Sequence, residues 1–172
     1  VLVYSALFAQ SNEDKKTVFQ LSFVPPLSTN GTYSHQYTNT VSLNLLVGIS
    51  RNEEAFTWGG ISNIILNDAK GFQMAGLSNY VGNDGQGVQS AGLANINKNK
   101  FSGFQMAGLA NTASEMTGFQ FAGLVNIAKE VNGLQVAGLV NIAKEVNGVQ
   151  FAGLVNIADK SDCPIGLINI IK

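Results

Sequence analysis

GFQFAGLVNIAKEVN, from Gly118 to Asn132, is followed by GLQVAGLVNIAKEVN from Gly133 to Asn147, and a third version opens at Gly148. This recurrence constrains the fold more than any other feature of the chain. Count each line from its opening glycine. The sixth place is then Gly60, Gly76, Gly92, Gly108, Gly123, Gly138, Gly153 and Gly166, at spacings of 16, 16, 16, 15, 15, 15 and 13. The ninth place is Asn63, Asn79, Asn95, Asn111, Asn126, Asn141, Asn156 and Asn169. The third place is Gln73, Gln89, Gln105, Gln120, Gln135 and Gln150. A period this constant means a repeat architecture, in which one line is one unit stacked on the next.

Within a line the pattern has period two. Gln120, Ala122, Leu124 and Asn126 hold nearly fixed places, and Phe119, Phe121, Val125 and Ile127 hold places that are apolar but vary. Alternation is the strand signature. The central glycine disfavours a helix by about 1 kcal/mol relative to Ala. The class is therefore all-β.

Two architectures fit. In a parallel β-solenoid of about 15–16 residues per coil, each line makes three short sides, GFQFA, GLVNI and AKEVN, with glycines at corners. Identical residues then stack about 4.8 Å apart. Phe119, Leu124 and Val131 become internal apolar columns, and Asn79, Asn95, Asn111, Asn126, Asn141 and Asn156 become an internal amide ladder. In the alternative, an antiparallel up-and-down barrel, each line is one strand of roughly ten residues, long enough to cross an outer membrane as a pore or anchor. Gln, Ala, Leu and Asn then face inward and the variable apolar places face lipid. Uniform connections and the lack of aromatic girdles speak for the solenoid.

The chain divides into three segments. Residues 1–10, VLVYSALFAQ, read as the back half of a secretory signal peptide. Residues 11–54 contain FQLSFVPPLSTNG and VSLNLLVGIS and read as atypical capping strands. Residues 55–172 form the repeat domain of about eight coils. Its last line, CPIGLINIIK, would leave an apolar edge at Ile165, Ile168, Ile170 and Ile171, covered by a partner or by further chain. Self-association through that edge is expected of the isolated chain.

Residue chemistry excludes more than it offers. Charged residues are 12% and the net charge is −1, so no basic stripe awaits nucleic acid. Cys163 is the sole cysteine, which forbids an intramolecular disulfide and a multi-cysteine zinc site. It reads as a small, partly buried apolar residue. His35, the only histidine, lies in the polar stretch TYSHQYTNT and reads as a loop residue. VGNDGQG, Val81 to Gly87, has one Asp where a calcium loop needs several converging carboxylates. Glu115, Glu130, Glu145 and Asp159 fall on the third side, with Lys129-Glu130 and Lys144-Glu145 stacking as a solvated face. No catalytic set, cofactor loop or metal cluster is recognisable. The Gln column (Gln73, Gln89, Gln105, Gln120, Gln135, Gln150) serves either as a second internal ladder or, turned outward, as a flat amide face for a glycan or protein.

GFQMAGLSN, GVQSAGLAN, GLQVAGLVNIAKEVN and PIGLINI resemble the short surface repeats of secreted leptospiral and Bacteroidetes-type proteins, over about residues 17 to 171. The resemblance implies a signal peptide and a place at the bacterial cell surface or outer membrane. It implies no biochemical activity. The expectation is a non-enzymatic exported repeat protein, a scaffold or adhesion surface, with a protein or glycan partner and a further expectation of membrane association.

Overall fold

The computed structural model describes residues 14–172. Residues 1–10, read above as a signal-peptide remnant, lie outside the described residues. What is described is a parallel β-solenoid, not a barrel. Two sheets face each other, one of 11 strands and one of nine. From Tyr37 onward each coil has one longer strand in the first sheet and one short strand in the second, as in Glu115–Ala122 followed by Val125–Ile127. Successive lines pair in parallel and in register: Gly118 with Gly133, Gln120 with Gln135, Asn126 with Asn141. This overturns the antiparallel barrel, which requires hairpins between lines.

The coil has two sides, and this corrects the three-sided reading. The AKEVN segment does not form a side of its own, because Glu130–Ala137 is one continuous strand that includes the next line's GLQVA. Its opening glycine, Gly133, therefore lies mid-strand, at φ 142°. A Cβ there would collide with the carbonyl of Gly118 in the preceding coil. Glycine is required because neighbouring backbones approach closely at a left-handed position.

The interior is arranged by parity. Along Glu115–Ala122 the buried side chains are Met116, Gln120 and Ala122. Across from them the short strand buries Asn126. An apolar cluster of Phe101, Met116, Val131 and Val146 with Ala113, Ala128, Ala143 and Ala158 fills the space toward one edge. Val131 is thus internal as expected. Phe119 and Leu124 are not: they are 48% and 41% exposed. Amide columns occupy the narrow space between the sheets, and residues of opposite parity must face out.

The N-terminal segment is only partly a cap. Lys15–Val24 and Leu27–Ser28 form an antiparallel pair, followed by the 3₁₀ turn Gly31–Gln36. Tyr37–Asn44 and Val47–Ser50, however, make an ordinary coil paired in parallel with the next. The described residues therefore hold nine such coils, this one and eight from Asn52 onward.

Candidate functional site

Two amide ladders run through the interior. Asn63, Asn79, Asn95, Asn111, Asn126, Asn141 and Asn156 each donate from Nδ2 to Oδ1 of the asparagine one coil further on, at 2.8–3.0 Å. The same nitrogen also donates to a backbone carbonyl of the next long strand, as Asn126 does to Val136 at 2.7 Å. Each asparagine thus ties the short strand of one coil to both strands of the next.

The glutamine ladder runs the other way. Gln105, Gln120, Gln135 and Gln150 donate from Nε2 to Oε1 of the glutamine one coil earlier, at 2.7–3.0 Å. The two ladders therefore run in opposite donor-to-acceptor sense. Gln73, Gln89, Gln105, Gln120, Gln135 and Gln150 are all fully buried. An outward Gln binding face is therefore corrected: these residues cannot meet a ligand.

The surface is built from the opposite parity. One outward column on the long sheet is Phe56, Phe72, Val88, Phe104, Phe119, Leu134 and Val149. A second, two residues along, is Trp58, Met74, Ser90, Met106, Phe121, Val136 and Phe151. Phe72 is 56% exposed and Met106 47%. At the turn that follows, Leu77, Leu93, Leu109, Leu124, Leu139 and Leu154 line an edge. The short sheet then presents Val125, Val140 and Val155, and beside them Ile127, Ile142 and Ile157.

Charge is segregated from this surface. Between Arg51 and Lys160 every charged side chain falls in the turn before a long strand or in that strand's first three residues. The opposite edge and the greater part of both faces carry none. At the charged edge, Lys100 and Glu115 form an ion pair at 2.7 Å, and Glu115, Glu130 and Glu145 stack in register. Glu115 raises the Lys100 pKa through that hydrogen bond and its charge. Asp84 does not converge on a cation site: its Oδ1 accepts from Asn99 Nδ2 at 2.7 Å and from the Lys100 amide. Among the described residues no group of three or more His, Cys, Asp or Glu side chains is placed to hold a metal.

His35 sits in the 3₁₀ turn, its Nδ1 3.2 Å from the Thr32 carbonyl. Cys163 is exposed, contrary to the partly buried expectation, because it takes the outward place in register with Val149. The sequence reading missed Glu53. This carboxylate is buried, and it accepts from Asn39 Nδ2 at 3.0 Å and Ser42 Oγ at 2.7 Å. Burial raises its pKa, and the bonds from Asn39 and Ser42 work against that shift. Its other oxygen, Oε2, has no protein donor, and both amide atoms of Gln73 are also without protein partners. Only register with the inward Ala69 column could have flagged it.

No protein-family model, curated protein or solved structure matches the chain.

Proposed function

We propose that the chain is a non-catalytic repeat protein, exported to the bacterial cell surface, whose solenoid is a scaffold for an extended apolar binding face. One observation carries this reading. The outward columns of Phe, Met, Leu, Val and Ile continue from coil to coil without a charged interruption. Monomeric proteins rarely leave contiguous apolar surface of that extent uncovered, and such surface marks an interaction site. Between Arg51 and Lys160 the carboxylates and amines are either confined to the charged edge or, like Glu53, sealed inside. The signal-like opening and the likeness to secreted surface repeats give the cellular setting.

Proteolysis of intact cells of the source organism tests the setting. The expected result is cleavage of the chain before lysis, with a periplasmic or cytoplasmic marker protected. A chain that is cut only after lysis contradicts the surface location.

A further inference from the structure

Taking the apolar columns as a binding face, we propose that their occupant is the hydrocarbon of one lipid leaflet, entered by the leucine edge, with the charged edge left in water. The apolar surface is convex. It wraps from Phe119 and Phe121 on one face, around Leu124, to Val125 and Ile127 on the other. A rigid partner would need a cleft to cover it, whereas a fluid leaflet conforms to it.

A second copy fits less well. The two columns on the long face stand about 7 Å apart and run about 30 Å along seven coils. A second copy packed face to face would cover this strip alone. Pairing through it would leave the leucine edge and the isoleucine column in water.

Polarity follows depth. On the long face the sequence from the charged edge inward is Glu115, Thr117, Phe119, Phe121, then Leu124 at the turn. The column containing Thr117 is otherwise Lys70, Gln86, Ser102, Asn132 and Asn147, polar throughout and with a single charge at its Lys70 end. The apolar part, Phe119 to Leu124, spans about 15 Å, half of a hydrocarbon core of about 30 Å. That depth suits one leaflet and does not span the bilayer.

Hydrocarbon penalises unpaired backbone polar groups, and the N–H groups of the leucine edge are paired between coils. At the leucine edge the N–H of Gly123 donates to Ala107, and those of Leu124 and Val125 to Leu109, at 2.9–3.1 Å. The same scheme repeats at Gly138, Leu139 and Val140. The charged edge mixes signs, and the chain's net charge is −1, so attraction to anionic headgroups is not the driving force.

Trp58, the only tryptophan, lies in the second outward column and is 39% exposed, so it reports directly on this surface. The test uses the purified chain with vesicles of phosphatidylcholine alone, then with added phosphatidylglycerol. Trp58 emission should shift to the blue on both, be quenched by lipids brominated in the acyl chains, and resist high salt. Leu109→Ser/Leu124→Ser/Leu139→Ser should weaken partitioning by about tenfold or more. Lys129→Gln/Lys144→Gln should change it by less than about twofold. Circular dichroism checks both variants, and the parent measurement needs neither.

Unchanged Trp58 emission with no flotation on vesicles overturns the lipid proposal. So does a sedimenting oligomer whose formation excludes vesicles, which would make a second copy the occupant. Binding that requires phosphatidylglycerol or is lost in salt overturns it as well. None of these results touches surface location, which proteolysis of intact cells decides separately.

Discussion

Coils between Lys100 and Ala158 and coils between Tyr37 and Ile65 share a backbone and differ inside. In the later coils one residue type returns at each level: Gln on Gln, Asn on Asn, and Phe101, Met116, Val131 and Val146 in one apolar column. In the earlier coils that column reads Asn39 and Glu53, and the glutamine column reads Ser42 and Thr57. Gly48 occupies the register place of the ladder asparagine, and Asn44 from the long strand fills it, donating to Asn63 Oδ1 at 3.1 Å. Repetition therefore stabilises the stack without being required by it. The mixed early set leaves Glu53 Oε2 and Thr57 Oγ1 without protein partners, whereas identical amides can pair with one another from coil to coil.

The largest test of this contrast is at glycine. Gly133→Ala places a Cβ against the Gly118 carbonyl at φ 142°, and it should cost more than about 3 kcal/mol. Gly31, in the N-terminal turn, also has positive φ, but no atom lies within 4 Å of its added Cβ. Gly31→Ala should cost about 1 kcal/mol, the conformational part alone. Urea melts of the two variants compare them, and equal losses would show that close backbone approach is not what the mid-strand glycine serves.

Asn126→Ala comes next. It removes donation to Asn141 and Val136 and acceptance from Asn111, which leaves buried groups unsatisfied, for about 2–3 kcal/mol. Lys129→Ala at the exposed edge should stay within about 0.5 kcal/mol. Equal denaturation midpoints would contradict an energetic role for the ladder.

Glu53 sharpens the comparison through pH. Its folded-state pKa is raised by burial, so the folded protein holds this proton more tightly than the unfolded chain. The associated stability is full below the ordinary glutamate value of 4.5 and is lost as pH rises through the folded-state pKa. Glu53→Gln, which resembles the protonated carboxyl, should flatten that decline and raise the melting temperature at neutral pH. Thermal melts from below pH 4.5 upward check this, and an unchanged profile would show that Glu53 does not control it.

The period, the parallel stacking and the asparagine column were legible in the sequence, because a stack is what makes identical neighbours favourable. The number of sides was not. Gly118 and Gly123 were read as corners; Gly123 does lie at the turn between Ala122 and Val125, whereas Gly118, like Gly133, marks close approach in mid-strand. The direction of Gln was ambiguous because an amide column can satisfy itself inside or meet solvent outside. Parity resolves it: Gln120 shares a side with Met116 and Ala122, and Phe119 cannot. The inward and outward places considered for the barrel, apart from leucine, are those the solenoid adopts. The outer surface was legible only in part. Once lines are stacked, the confinement of charge to one edge follows from the sequence, but which apolar residues are left uncovered depends on there being two sides.

Cysteine accessibility tests the inside-out placement most directly. In a Cys163→Ser background, Phe119→Cys and Gln120→Cys differ by one position along the same strand. Maleimide should label Phe119→Cys rapidly in the folded protein and leave Gln120→Cys protected until denaturant is added. Rapid labelling of Gln120→Cys with protection of Phe119→Cys would contradict the account, placing the amides on the surface and the aromatic column within.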